Sequence, residues 1–202
     1  MSQPIDREQQ RAAIASGDPA RAMPALANLR ELPAEEAIPL LLLGLEQEMF
    51  MIRSLSCAGL GVKRNEAGWQ ALMRALEHDD DANVRAEAAN ALASYGLERA
   101  WEPLLAAFRR DGHWLLRCSV LSAVAEQPGM APAWLLELAS LALGDEDGTV
   151  RVGGAEILGR VAREWPEGGE AQQARALLQR LQADPDHRVV AAALDGLQAA
   201  GG

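Results

Sequence analysis

The sequence predicts an all-α chain built as a stack of about six helical hairpins. Two observations predict this. The first is composition: Val, Ile and Thr number nine, five and one in 202 residues, while Ala and Leu fill nearly every segment. β-Branched residues favour strands and Ala and Leu favour helices, so no strand is expected. The second is an internal repeat. With Ile52, Val84, Leu116, Val150 and Val189 aligned as one anchor column, the next residues are Arg53, Arg85, Arg117, Arg151 and Val190. Eight residues after the anchor stand Leu60, Leu92, Val124, Leu158 and Leu197, two turns further along one helical face. Four residues after it stand Ser56, Ala88, Val120, Gly154 and Ala193, small or apolar residues that let helices approach closely. Anchor spacings of 32, 32, 34 and 39 residues accommodate a helix, a turn and a second helix.

In chain order, "MSQPIDREQQ" is polar and charged and carries no secretory signal, so the cytoplasm is the expected location. Residues 1–17 are expected to form an N-terminal helix or cap and residues 18–202 the repeat domain. The repeat begins with a degenerate unit, "GDPARAMPALANLRELP", whose Arg21 lies 32 residues before Arg53 and whose second helix is anchored near residue 20. "IPLLLLGL", from Ile38 to Leu45, is far shorter than the roughly 20 apolar residues of a membrane span and reads as a buried helix. Second helices follow at anchors 52, 84, 116, 150 and 189. The first helices of three units carry Trp69, Trp101 and Trp134 at a matched place, which points to core packing.

Formal net charge is -10, which repels a phosphate backbone and disfavours nucleic acid as a partner. Cys57 and Cys118 are the only cysteines, far apart, and signal neither a disulfide framework nor a thiolate metal site. The segment "HDDDANVR" imitates a ligand cluster. Read as a calcium loop, it has Val84 where the sharp turn needs glycine and Asn90 where a bidentate Glu is required. Asp81, Asp147 and Asp186 share a place three residues before the anchor, where a carboxylate caps a helix. Asp79, Asp111, Asp145 and Asp184 share another, five residues before it. Repeated Arg and Asp columns are expected to pair between neighbouring units, with Arg117 the member open to a partner's carboxylate or a propionate. His78, His113 and His187 precede Asp79, Trp114 and Arg188, so no His-Glu dipeptides repeat, and neither cysteine has a nearby His; no hydrolase signature is present.

Two turns depart from the repeat. Where others have Ala82, Gly148 or His187, these have Phe50 and Trp114, the latter beside His113. Either the rings fold back on neighbouring helices, or they form an apolar saddle about 20 Å across. Positions three, six and ten after each anchor are expected to face outward on the concave side. They give Leu55, Ala58 and Val62; Glu87, Asn90 and Ser94; Ser119, Ser122 and Glu126; and Gly153, Glu156 and Arg160. This small, mildly acidic surface suits an approaching helix or backbone of basic character.

"DDDANVRAEAANALASYG", "DEDGTVRVGGAEILGRV" and "DPDHRVVAAALDGLQAAG" resemble the HEAT-repeat superfamily, and within it the short repeats of phycobilisome (phycobilin) lyase type found in cyanobacteria. The resemblance spans roughly residues 18–200 and implies a right-handed α-solenoid. A strict repeat with no convergent catalytic set points to a non-catalytic adaptor with no membrane span, and the resemblance implies a setting in phycobilisome or tetrapyrrole handling, with a protein such as a phycobiliprotein held on the concave face or on the Phe50/Trp114 edge. Two alternatives stay open: a phycobilin lyase subunit that attaches or detaches a bilin at a partner's cysteine, and a partner of an iron-sulfur assembly scaffold using Cys57 or Cys118.

Overall fold

The computed structural model describes residues 6–125 and 127–199. Among these lie twelve α-helices and no strand: α1 (Arg7–Ala15), α2 (Pro19–Asn28), α3 (Ala34–Leu45), α4 (Phe50–Lys63), α5 (Glu66–His78) and α6 (Ala82–Ala93), then α7 (Leu97–Arg110), α8 (Trp114–Ala125), α9 (Pro132–Ala142), α10 (Gly148–Glu164), α11 (Gly169–Leu181) and α12 (His187–Ala199). A short 3-10 turn, Leu29–Glu31, follows α2. In chain order every second helix, from α2 to α12, carries one of the anchors expected from the repeat. The chain divides into two compact units, Met1–Ala107 and Phe108–Gly202. In the first, α4 packs on α2, α3, α5 and α6; in the second, α10 packs on α8, α9, α11 and α12.

The repeat columns become the core. All five anchors are fully buried, as are Leu60, Leu92, Val124 and Leu158 two turns on. The small column is enclosed as well, and at Gly154 a Cβ would lie 2.9 Å from that of Ala142. Closer still is the approach between second helices. A Cβ on Gly61 of α4 would meet the Ala91 Cα of α6 at 2.9 Å, and one on Gly159 of α10 would meet the Gly196 Cα of α12 at the same distance. Nine residues after one anchor thus packs on seven after the next, backbone against backbone. Trp69 and Trp101 are buried and Trp134 is half-buried. Trp69 meets Tyr95 edge-on at 5.4 Å, with the Arg99 guanidinium 3.9 Å above its ring.

The turns are fixed by arginine. Arg53 Nη1 donates to the Gln47 carbonyl (3.0 Å), Arg85 to Asp79 (2.9 Å), Arg117 to Asp111 (2.7 Å) and Arg151 to Asp145 (2.9 Å), always six residues back. The rest of the fork reaches forward. Arg53 Nε and Nη2 donate to the two oxygens of Asp79 at 2.8 and 2.9 Å. Arg151 takes Asp184 the same way at 2.9 and 3.0 Å. Arg117 pairs with Asp145, its Nη2 donating to Oδ1 at 3.0 Å. Each of these aspartates also accepts the backbone N–H two residues on, at Asp81, Asp147 and Asp186. One carboxylate therefore shapes its own turn and receives the preceding unit.

These pairs are largely dry, with side-chain exposures of 8–13%. A fork left without its carboxylate there is expensive. At Asp79, burial raises the carboxyl's pKa, but the Arg53 fork and the Asp81 N–H outweigh it and hold it below the ordinary carboxylate range. At Asp184 the Arg151 fork is the main cause of the same downward shift.

Two predictions follow from this packing and pairing. Gly159→Val should destabilise the fold by about 1–3 kcal/mol in urea unfolding, because the added carbons must push α10 from α12. Because Asp79 and Asp184 have depressed folded pKa values, the unfolded state binds more protons in acid; their contribution is complete above the ordinary carboxylate pKa and drains away as pH falls through the lower folded values. Thermal melts of wild type should lose stability across that window, and the Asp79→Asn/Asp184→Asn double variant, weaker at neutral pH, should show a shallower acid slope.

Candidate functional site

The "HDDDANVR" cluster resolves into structure. Asp81 accepts Asn83 N–H at 2.8 Å, Asp147 accepts Thr149 N–H at 2.7 Å and Asp186 accepts Arg188 N–H at 2.9 Å, so the column three residues before the anchor caps α6, α10 and α12. Asp79 belongs to the fork and Asp80 also accepts from Arg53, at 2.8 Å. Among the described residues no group of three or more His, Cys, Asp or Glu side chains converges as metal ligands do. Arg117, expected to be open to an external carboxylate, is instead 9% exposed and occupied by Asp145 and the Asp111 carbonyl.

The two divergent turns carry exposed aromatic rings. Phe50 is 37% exposed and begins α4 in the first unit, flanked by Met49 and Met51 at 38% each. Trp114 is 43% exposed and begins α8 in the second unit. His113 stands where other turns place a capping aspartate and does the same work: its Nδ1 accepts Leu115 N–H at 3.2 Å, and its ring stacks on Trp114 with centroids 6.0 Å apart. The acceptor role assigns the ring's proton to Nε2. No side-chain cap stands at Met49, so the start of α4 presents Met49, Phe50 and Met51 where α6, α10 and α12 are preceded by the capping carboxylates Asp81, Asp147 and Asp186.

The expected outward positions divide by unit. In the first, Leu55 and Ala58 are half-buried and Val62 is exposed; they line a nearly apolar groove of about 190 Å³ between α2 and α4. Asn90 on α6 and Ser94 just past its end are exposed, whereas Glu87 is half-buried and its carboxyl is pushed up by that burial. In the second unit Ser122, Gly153 and Glu156 line a groove of about 360 Å³ between α8 and α10. Glu156 and Val152 also line a groove of about 600 Å³ between α10 and α12. The two grooves thus meet along one ridge of α10, and Glu156 stands on it exposed, without a hydrogen-bond or ion-pair partner among the described residues. Along the wider groove run His187 and Arg188 at one end, Glu156 and Asp195 midway and Arg163 at the other, over a floor that includes Gly159 and Gly196. Glu126 lies outside the described residues.

Arg160 is not the outward residue that its spacing suggested. Its side chain is 12% exposed and donates to the carbonyls of Ala125 (2.8 Å) and Gln127 (2.9 Å) at the end of α8, while also meeting Glu164. Lys63 does the same to Arg30 and Leu32 (2.7 and 2.6 Å), and Tyr95 Oη donates to the Leu60 carbonyl at 3.0 Å. A polar side chain ten or eleven residues after the anchor reaches back to carbonyls at the C-terminal end of the preceding second helix. The signal was present in the sequence, Lys63 and Tyr95 sharing one offset, but Lys, Tyr and Arg look unrelated until their common acceptor is seen.

Neither thiol is poised for chemistry. Cys57 is fully enclosed and burial pushes it up to about 12. Cys118 is half-buried beside Ser122 in the narrower groove, raised by burial and then by Asp147 and Asp145. They stand in different units, so neither unit supplies a cysteine pair for a cluster. No described helix is long and apolar enough to cross a membrane.

Two solved structures share the architecture. An engineered protein, a Northeast Structural Genomics Consortium target, is 20% identical with a TM-score of 0.59, over 98% of this chain and 99% of its own. A designed armadillo repeat protein is 17% identical with a TM-score of 0.56, over 97% of this chain and all of its own. At such identities the likeness is one of fold. No curated protein matches the chain. The model of the HEAT repeats matches residues 38–125 and again 101–198, and with most of its length so covered the chain belongs to the HEAT-repeat family.

Proposed function

We propose that the chain is a non-catalytic, cytoplasmic protein-binding adaptor whose partner lies in the trough formed by α8, α10 and α12. The carrying observation is the contrast at Glu156. The arginines and aspartates of the repeated turns are spent holding the stack, yet this carboxylate stands unengaged on the ridge shared by two grooves. A floor of small residues admits a helix or extended segment, and a basic side chain on that segment would meet Glu156 and Asp195. The exposed Phe50 and Trp114 offer additional apolar contacts, each from its own unit. The half-buried Glu87 and its neighbour Asn90 lie on the corresponding helix of the first unit and would extend recognition there.

For the setting we propose phycobilisome or tetrapyrrole handling with a phycobiliprotein as partner, on the strength of the resemblance of the three repeat segments. The lyase reading keeps the same docking and adds a bilin, with the nucleophilic thiol supplied by the partner. The iron-sulfur reading gains nothing from the placement of Cys57 and Cys118.

Mixing the purified protein with phycobiliprotein subunits and phycocyanobilin separates these readings. The adaptor reading predicts retention of a subunit without covalent bilin transfer. Transfer, followed by visible absorbance, would replace it with the lyase reading, and retention of no subunit would remove the setting. Glu156→Lys should weaken retention about tenfold or more, as expected when a groove carboxylate is replaced by a like charge. Phe50→Ala and Trp114→Ala should each cost about 1–2 kcal/mol of binding with helicity intact; unchanged affinity would remove those rings from the contact.

A further inference from the structure

The groove between α2 and α4 departs from the repeat. Three, six and ten residues after its anchor, α4 carries Leu55, Ala58 and Val62, spaced as i, i+3 and i+7 along one helical face. At the same offsets stand Glu87, Asn90 and Ser94 in the next repeat and Gly153, Glu156 and Arg160 in the fourth. No later repeat has a large aliphatic side chain at any of the three. Leu55 and Ala58 are half-buried and Val62 is 67% exposed. Beneath them the floor includes Leu26, Leu29 and Leu41, each 1–4% exposed. Both walls belong to helices that already pack on one another, so the groove is not an end face of the stack.

Size and charge together say what it takes. Its volume of about 190 Å³ is below the roughly 300–1,000 Å³ of sites for drug-sized ligands and close to the ~150 Å³ in which an apolar cavity holds benzene, so it admits one large apolar side chain. Small-molecule sites bury most of their ligand, whereas this groove opens to water along Val62 and would leave an acyl chain largely solvated. Among the described residues lining it, the polar side chains are Arg30 and Lys63, both cationic on a chain of net charge -10. They stand at one end, where Lys63 closes α4 and donates to the Arg30 carbonyl. The Arg30 side chain is 81% exposed and meets Glu31 at 2.9 Å, an exposed pair of little strength. Lys63 gives two of its three ammonium N–H groups to the Arg30 and Leu32 carbonyls, which leaves one.

We propose that this groove binds a protein segment that sets one large apolar side chain between α2 and α4 and an adjacent aspartate or glutamate against Arg30 and Lys63. The site lies in the first unit and prefers the charge opposite to that favoured by the trough around Glu156, so neither reading depends on the other.

Selection of displayed random short peptides on the purified Glu156→Lys chain, in which the trough has lost its carboxylate, tests this. The proposal expects enriched peptides that pair a leucine, methionine or phenylalanine with a neighbouring aspartate or glutamate. For a labelled synthetic copy of one of them, fluorescence anisotropy should show a Kd raised about tenfold or more by Val62→Glu, with unchanged far-UV circular dichroism. Arg30→Glu should reverse the charge preference, so that the same peptide with lysine in place of its acidic residue becomes the tighter binder. No enrichment, enrichment of basic or purely apolar peptides, a Kd that Val62→Glu leaves unchanged, or a preference that Arg30→Glu leaves in place would overturn the proposal without touching the trough reading. Octanoate binding that depends on Val62, with no peptide enriched, would overturn it in favour of a small amphiphile.

Discussion

The arginine fork that follows four of the five aligned anchors sets the terms for the rest of this structure. One terminal nitrogen closes the turn of its own unit and the other two nitrogens bind the carboxylate of the next, so turn geometry and stacking register are settled by one side chain. Arginine suits the task because its planar fork matches both carboxylate oxygens at once and cannot lose its charge. At 8–13% exposure the charges are held out of water, and removing either partner of such a pair typically costs about 3–5 kcal/mol. The pairing makes the register specific, and it leaves those carboxylates with nothing to offer a ligand.

The other ends of the second helices are tied differently. Lys63, Tyr95 and Arg160 reach backward to carbonyls at the ends of the preceding second helices, and between the two tied ends Gly61 and Gly159 let backbones nearly touch. With both ends and the middle given over to architecture, function falls to what is left over on the surface. Among the described residues that remainder includes the trough around Glu156, the apolar groove beside Val62 and two exposed aromatic turns. Among the described residues, Glu156 is exposed on the ridge between two grooves, and Phe50 and Trp114 are exposed where other turns carry small or polar residues.

Much of the fold was legible because a repeat tests itself. A single Asp-Asp-Asp run could have been a metal site, but the same carboxylates recurring at fixed offsets in "LGDEDGTVR" and "ADPDHRVV" argued for caps, and Asp81, Asp147 and Asp186 are caps. The fork was legible as two columns, except that Arg117, the member expected to be open, is gripped by its aspartate like the others. Exposure at single positions was less legible. Arg160 sits at an outward offset yet folds back, because a long cationic side chain finds free carbonyls within reach. His113 as a cap was hidden by chemistry: an imidazole nitrogen replaces a carboxylate in geometry without resembling it in sequence. The grooves beside Glu156 depend on how far apart helices settle, which spacing along one chain does not encode.

The measurement that bears most directly on the fork is a double-mutant cycle on Arg151 and Asp184, using Arg151→Met and Asp184→Asn with unfolding free energy as the readout. If the pair holds successive turns in register, the two losses should be strongly non-additive, with a coupling of about 1.5 kcal/mol or more. Additive losses, with coupling below about 0.3 kcal/mol, would contradict the account and leave those carboxylates available as ligands.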